Sequence, residues 1–485
     1  MVVPFMRCDG DAHQILADGF NAIRAEYSLV ATFAPEVALA AQQSAARPLP
    51  LPGPDTVDAR HLPMVTLDPA TSTDLDQAFA IEQQGDDIVL FYAIADVGWF
   101  VARGSVLEAE AMHRGETIYA PDGRIPQYPE VLSEDAASLL PDGDRPAILL
   151  TVVVGVDGES TLRSAQQALV RSRTKLAYEH VTDTDVSPLL PTLVARVTAA
   201  EDRRGAVRVD LPEQGVDADP SCPGGLRLVL RQRLASEDSN SAMSLAANLA
   251  VAKAMLAARV GLFRVMAVPD ERELASLRHS ARALGITWDR AIDLGHLQRT
   301  LDPADPRHRA FLTLARRAGG GASYLALGCE SDAVPLVPSA PSVPLVPFHS
   351  AIAATYAHAT APLRRLADRY VLDLVVELHA GRRPDAAALA TLATLPAIME
   401  RSDKIASKVD SAALDLVEAV ALTAREGETF SAVVIDVDKN SARIQLSDPP
   451  VRTRIRAGEL VAGDEVTVRL DSADPATRTV KFSLV

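Results

Sequence analysis

Cysteine is scarce: three residues, Cys8, Cys222 and Cys329, stand in a chain of 485. They are far apart, odd in number and lack metal-ligand spacing, which excludes a disulfide framework or a cysteine-metal site and points to a reducing, intracellular setting. Aromatic residues make up only 4%, so alanine, leucine and valine must supply most of the 48% hydrophobic content and hence the core. Positive charge is short as well. A net charge of −16 excludes a protein that coats nucleic acid without specificity, because that affinity comes from clustered Lys and Arg. A local basic channel remains compatible with it, since a surface average is silent about one groove. The most apolar helical window, 244–263, carries Lys253 and Arg259 and reads as a buried helix rather than a membrane span. The N-terminus, Met-Val-Val-Pro-Phe-Met-Arg-Cys-Asp, lacks a signal-peptide layout. The expectation is a cytoplasmic protein with no membrane partner, long enough for two to four domains.

What is present is most concentrated in Val65-Thr-Leu-Asp-Pro-Ala-Thr-Ser-Thr-Asp-Leu-Asp-Gln-Ala78. Asp68, Asp74 and Asp76 fall in one turn-rich stretch between two apolar, strand-like pieces. Carboxylates held close repel one another and lose solvation, so a fold that keeps three together needs a positive partner. Hard divalent cations are the usual answer, and Mg²⁺ with a few carboxylates and a phosphate substrate is the usual case. The bland alternative is a solvated acidic loop. The apolar lead-in at 64–67, and Pro69, which keeps the backbone extended at Asp68, weigh toward the metal. Metal-assisted phosphodiester chemistry is the leading reading of this run.

Along the rest of the chain, Ile15, Leu16, Phe20, Ile23 and Tyr27 share one helical face within 11–46, and Pro35 is placed to open a second helix. The pair reads either as a small helix-turn-helix unit or as an arm packed on the main body. Arg47-Pro-Leu-Pro-Leu-Pro-Gly-Pro54 is a stiff linker. From 60 to 165 strand signals dominate: 77–82 and 88–94 flank a polar turn at 83–87, and a further strand, 147–156, stops at Asp157-Gly158. The segment 115–143 is irregular, and 187–300 and 350–425 read as mainly helical. Between those two lies a Pro-rich insert, 334–347, expected on the surface. The last sixty residues turn to short alternating strands at 428–437, 441–446, 466–470 and 479–485, with turns at 438–440, 448–450 and 462–464. That pattern suggests a small OB-fold barrel.

A second constellation is Tyr356-Ala-His-Ala-Thr-Ala-Pro-Leu-Arg-Arg365. Paired arginines after a proline often just solvate a helix start. Cations there oppose the helix macrodipole, however, so an incoming anion is a good reason to keep them. Arginine also clamps phosphate through two parallel hydrogen bonds.

Leu67-Asp-Pro-x-x-x-x-Asp-Leu-Asp-x-Ala78 together with Thr360-x-Pro-Leu-Arg-Arg365 resembles the catalytic domain of the ribonuclease II / ribonuclease R (RNB) exoribonucleases. Further pieces match in order: Ile94-Ala-Asp-Val97, Ile118-Tyr-Ala-Pro121, the stretch 129–140, Leu176-Ala-Tyr-Glu-His-Val181, Arg204-Gly-Ala206 with Glu213, and Ala246-Ala-Asn248. The resemblance implies an α+β protein in three parts. A small N-terminal helical element and linker would occupy 1–54. A catalytic domain with a mixed β-sheet core surrounded by helices would occupy 55–425, and an S1-like OB-fold barrel that binds RNA 426–485. It also implies a 3′→5′ hydrolytic exoribonuclease that degrades single-stranded RNA to nucleoside 5′-monophosphates, as a monomer. Asp68, Asp74 and Asp76 would hold Mg²⁺, with Mn²⁺ as a substitute. Arg364 would stabilise the transition state. Tyr119 would stack on a base near the 3′ end (its plain alternative is an ordinary loop aromatic), and Thr360, Arg364 and Arg365 would contact substrate.

Departures from the family pattern qualify this. Gln77 stands where the family has a fourth aspartate, so a second metal is expected to bind loosely or not at all. Ser241-Ala242 replaces an acidic pair, and no late glutamate is found in the stretch 404–410. Two N-terminal cold-shock barrels do not fit ahead of residue 55, so the channel entrance is expected to be more open. These departures favour an alternative, an RNA-binding protein on a catalytically weakened nuclease fold. A DNA regulator using the 11–46 helices is disfavoured by the few basic residues there.

Overall fold

The computed structural model describes residues 10–49, 52–53, 56–141, 143–207, 213–218, 226–303, 305–318, 320–329, 346–437, 440–456, 458 and 460–485. Cys8, Cys222, three residues of the proline linker, nearly all of the 334–347 insert and most of the 438–440 turn lie outside the described residues.

Two helices come first, α1 (Gly10–Glu26) and α2 (Pro35–Ala45), the second opened by Pro35 at its first position. Alternating and fully apolar runs then build a central sheet from β1 (Thr56–Asp58), β2 (Met64–Asp68), β3 (Gln77–Gln84) and β4 (Asp87–Ala95). Two short helices, α3 (Val97–Phe100) and α4 (Val106–Arg114), and a small hairpin, β5 (Ile118–Ala120) with β6 (Gly123–Ile125), follow. The sheet is completed by β7 (Asp144–Val154) and β8 (Ser160–Ala177). The order is β1-β8-β2-β3-β4-β7, and it closes on itself because the 18-residue β8 also pairs with β7. The first part of β8 runs antiparallel to β7, while its later part runs parallel to β1 and β2, which makes the sheet mixed. Ile88, Val89, Leu90, Tyr92, Ala93, Ile94 and Ala95 are all buried. A strand covered on both faces reads as a continuous apolar run, which is what 88–95 shows.

Helices pack around the sheet: α5 (Leu190–Arg204), α6 (Ala235–Ala258), α7 (Glu271–Ala283), α8 (Leu294–Thr300), α9 (Pro306–Arg317), α10 (Leu366–His379) and α11 (Ala386–Leu422). By length and composition α6 is long and apolar enough to cross a membrane, but 56% of its most apolar stretch is buried inside the protein, as expected for a core helix. Two departures from the helical expectation for 187–300 are the hairpin of β9 (Glu213–Ala218) with β10 (Leu226–Arg231), and β11 (Gly261–Val265), which pairs with β12 (Ser323–Leu327). Leu226-Arg-Leu-Val-Leu-Arg231 has the period-2 signal of a strand, and that local pattern prevails over its helical surroundings.

The C-terminal barrel has five strands, β13 (Thr429–Val437), β14 (Ser441–Leu446), β15 (Arg452–Arg456), β16 (Glu465–Asp474) and β17 (Thr479–Leu484), in the order β15-β14-β13-β16-β17. The antiparallel, nearly closed sheet is consistent with the expected OB fold. The strand absent from the sequence reading is β15, Arg-Thr-Arg-Ile-Arg, whose single buried residue, Ile455, leaves no apolar alternation to detect.

The N-terminal helices do not form a unit of their own. Leu16, Phe20 and Ile23 of α1 share a core with Leu416 and Val417 of α11 and with Phe430 and Val468 of the barrel. Val37 and Ala41 of α2 belong instead to the core of the central sheet. Of the two readings of 11–46, packed arms replace the helix-turn-helix.

The turn between β7 and β8 sits against α5. Gly158 has φ +73°, and a Cβ there would lie 2.0 Å from the Arg196 carbonyl oxygen. Gly85, in the β3–β4 turn, has φ +61° with open space around it. Gly158→Ala is therefore expected to cost at least ~2 kcal/mol, from left-handed strain plus a backbone clash. Gly85→Asn, with strain alone in a residue type that tolerates it, should cost well under that. Denaturant melts of the two variants test this, and equal losses would contradict it.

Candidate active site

The acidic run forms one wall of a cleft of about 590 Å³. Asp68 ends β2, Asp76 immediately precedes β3, and the loop between them is fastened from several sides. Ser138 Oγ accepts the Leu75 N–H at 2.9 Å and donates to the Thr73 carbonyl at 2.7 Å, while Lys175 Nζ donates to the carbonyls of Ala70 and Ser72. Leu75 is fully buried between the two acids and anchors the loop to the core.

The opposite wall is the loop 360–365, which arrives from far along the chain. Its backbone is almost completely bonded. Asp368 Oδ1, buried in α10, accepts the N–H groups of Thr360 and Ala361 at 2.8 and 2.7 Å. Asp76 Oδ1 accepts the Leu363 N–H at 2.7 Å, and the Arg364 carbonyl accepts the Thr117 N–H at 3.0 Å. Arg364 is left projecting into the cleft, with Nε 3.4 Å from Asp76 Oδ2 and its side chain 47% exposed. The third side is the β5–β6 hairpin, whose half-exposed Tyr119 places its hydroxyl 3.3 Å from Asp74 Oδ2.

The structure therefore gathers Asp68, Asp74, Asp76, Tyr119 and Arg364 around one space. It does not bring Thr360 or Arg365 to that space. Thr360 is buried, with its hydroxyl 2.7 Å from Ser244 Oγ. Arg365 gives Nε and Nη2 to Asp368 at 2.9 and 2.8 Å. Both residues expected to contact substrate instead shape the loop that presents Arg364. A buried carboxylate three residues on captures the second arginine and leaves the first for the cleft.

The electrostatics separate the three acids. Burial pushes the Asp68 carboxyl up to about 6, against a lowering from Arg364. Burial pushes Asp76 up to about 8, against lowering by Arg364 and the Leu363 N–H. Asp68 Oδ2 is buried without a hydrogen-bond partner in the structure. Asp74 is engaged differently: besides Tyr119 it has Arg124, whose Nη1 is 3.1 Å from Oδ1. Among the described residues, no three His, Cys, Asp or Glu side chains converge as a ready metal cage. Asp68, Asp74 and Asp76, the three expected metal ligands, share a cleft, and Asp74 there faces Arg124. The donor set still fits a divalent cation. An orphaned carboxylate oxygen on Asp68 and a desolvated Asp76 lie in one cleft, and Mg²⁺ is commonly held by one or two carboxylates with water and substrate phosphate completing its shell.

Several cleft residues had no role in the sequence reading. Arg124 lies directly across β5–β6 from Tyr119, a pairing that the Pro121-Asp-Gly turn signal would have supported. Tyr178, inside a quoted family-like run, accepts a hydrogen bond at 2.7 Å from Asn240, and both line the cleft. Gln77, by contrast, was singled out in the sequence; it is held by the Thr360 carbonyl, 2.7 Å from its Nε2, and by the Tyr92 hydroxyl on its Oε1.

Comparison with known proteins places this geometry. Residues 56–380 match the RNB domain, and residues 428–485 match the RNase II-type exonuclease C-terminal S1 domain. The chain is 25% identical to ribonuclease R of Aquifex aeolicus over 476 residues, covering 88% of this chain and 64% of that protein. It is 28% identical to exosome complex exonuclease RRP44 homolog A of Arabidopsis thaliana over 328 residues, covering 65% of this chain and 34% of that one. The chain thus spans less than two thirds of the length of these relatives. In fold it is similar to Mycoplasma genitalium RNase R solved with ribose-methylated single-stranded RNA, with a TM-score of 0.83 at 20% identity over 97% of this chain and 78% of the other. It is also similar in fold to yeast Ssd1, described as a pseudonuclease, with a TM-score of 0.69 at 14% identity over 97% and 58%. With two thirds of its length matched to the RNB domain and its barrel matched to the RNase II-type exonuclease C-terminal S1 domain, the chain belongs to the RNB family.

Proposed function

We propose that this chain is a 3′→5′ exoribonuclease that hydrolyses single-stranded RNA to nucleoside 5′-monophosphates with Mg²⁺, for which Mn²⁺ can substitute. The observation that carries the reading is the meeting of Asp68, Asp74, Asp76, Tyr119 and Arg364 in one cleft. In the fold relatives from Mycoplasma genitalium, RNase R is bound to single-stranded RNA in one structure and to double-stranded RNA in another.

Each side chain has a task suited to its position. Asp68 and Asp76 would hold the cation, which neutralises phosphodiester charge and makes water a better nucleophile near neutral pH. Arg364, fixed at its backbone and with its half-exposed guanidinium beside Asp76, faces the space where a non-bridging phosphate oxygen would gain charge. Tyr119 offers a flat ring to the terminal base, and a ring tolerates any base, as a sequence-independent enzyme requires. Tyr178 and Asn240 line the same cleft and supply polar groups within reach of a ribose.

A second reading, an RNA-binding protein on a weakened nuclease fold, is favoured by one observation. Both ends of the Gln77 amide are engaged inside the protein, so this position brings the cleft no charge and its amide is already held.

Purified protein given uniformly labelled single-stranded RNA and Mg²⁺ should release mononucleotides; RNA left intact in both Mg²⁺ and Mn²⁺ would overturn the enzyme reading in favour of the second. Asp76→Asn should lower turnover about a thousandfold or more with RNA binding retained, since it removes a metal ligand and leaves the cleft wall in place. Loss of binding and turnover in equal measure would show that Asp76 has another role.

The raised carboxyls set a pH dependence. An unfolded aspartate titrates near 3.9. The native state, with Asp68 at about 6 and Asp76 at about 8, therefore binds more protons than the unfolded chain between those limits. Stability of the metal-free protein should fall as pH rises from about 4 to about 8. Added Mg²⁺ competes with those protons and should stabilise more at pH 8 than at pH 5. Other buried carboxyls share the trend, so the diagnostic is the difference from Asp76→Asn. Melts in EDTA across this range should show a shallower pH slope for the variant, and identical slopes would refute the assignment.

A further inference from the structure

We propose that this site takes a single divalent cation, and that the Arg124 guanidinium occupies the place beside Asp74 that a second cation holds in a two-metal phosphodiesterase. The inference rests on the nuclease reading of the cleft and specifies its charge.

Arg124 is held independently of Asp74. Its Nη2 donates to Thr73 Oγ1 at 3.1 Å and pairs with Glu134, which in turn accepts from Thr73 Oγ1 at 2.6 Å. Its backbone is fixed opposite Tyr119 in the β5–β6 ladder. The guanidinium therefore stays in the cleft wall whether or not Asp74 turns to another partner, and arginine keeps its charge at any working pH. Nη1 meets Asp74 Oδ1 at 3.1 Å, and that side chain is only 12% exposed, so the contact is screened little by solvent.

The local charge is met by one ion. Asp68, Asp74, Asp76 and Glu134, ionised when metal is bound, against Arg124 and Arg364 leave two net negative charges. A single divalent cation cancels them. A second would put two positive charges in a half-buried site, of which a phosphodiester monoanion offsets one. Position 77 adds no fourth carboxylate, and its amide is held by the Thr360 carbonyl and the Tyr92 hydroxyl. Two-metal sites hold their ions about 4 Å apart by sharing carboxylates, and here the shareable one faces a guanidinium.

Mn²⁺ titration of the full-length chain, followed by calorimetry and by electron paramagnetic resonance of free ion, tests this. Wild type should bind one equivalent in the cleft, and Arg124→Lys, which keeps the charge, should do the same. Arg124→Ala should bind the first ion roughly tenfold tighter, because a neighbouring positive charge is gone. Arg124→Ala combined with Gln77→Asp should take up a second equivalent. Two equivalents in wild type, or an Arg124→Ala isotherm superimposable on it, would overturn the proposal; should that variant not fold, the wild-type count still decides. RNA degradation scored on the same preparations separates the readings. Two equivalents with degradation sinks the single-ion inference alone, whereas no binding and no degradation removes both.

Discussion

The hydrogen bond from the Leu363 N–H to Asp76 Oδ1 joins positions 287 residues apart, and the site depends on it. A carboxylate as buried as Asp76 is costly unless donors meet it. The sheet end where it sits supplies none, because β3 and β4 spend their backbone groups on each other. The compensation has to come from elsewhere in the chain, and it comes from a loop whose own amides are tied down by Asp368. Burial of one acid thus fixes the position of a distant turn, and that turn fixes where Arg364 points. Gln77 reinforces the same seam by bonding the Thr360 carbonyl, so a residue standing at a ligand position works here as a structural tie.

Much of this was legible in the residues themselves. The acid run announces itself because clustered like charge has to be explained, and the 88–95 strand because a covered strand is apolar throughout. The arginine pair was legible as a pair but not as individuals. Arg364 and Arg365 are adjacent and chemically identical, and only the Asp368 carboxylate, buried by the packing of α10, decides which one turns inward. Arg124 was hidden for a related reason. The Pro121-Asp-Gly turn foretells a hairpin, but nothing local says that its tip will be laid against Asp74. The strand β15 escaped because only Ile455 among its five residues is apolar, too little to register as a buried face, and the β9–β10 hairpin because its period-2 signal is embedded among helices.

Domain boundaries were legible only in part, and α1 shows why. A helix with one apolar stripe and little propensity to stand alone has to find a partner surface. The stripe of Leu16, Phe20 and Ile23 finds it on α11, beside the barrel strands at the other end of the sequence. Val37 and Ala41 before the proline-rich linker and Ala59 and Leu62 after it belong to one core, so the linker marks no division there. The first helix and the last strands belong to one packed unit, while α2, only a few residues further on, belongs to another.

The net charge of −16 and a substrate that is itself a polyanion are reconciled at the scale of the cleft. Field strength falls off within about a Debye length, roughly 8 Å at physiological salt, so distant surface carboxylates count for little at a half-buried phosphate. What counts is the balance among groups that share the cavity, and there two arginines already offset two of the three acids. A cation held by the remaining carboxylate charge turns a locally acidic pocket into one that attracts a phosphodiester. It adds that attraction at the scissile phosphate, while the arginines and the Tyr119 ring offer RNA contacts that do not need the ion. Loss of a metal ligand should therefore cost turnover before it costs binding, because the acids recruit the ion and other side chains of the cleft meet the strand.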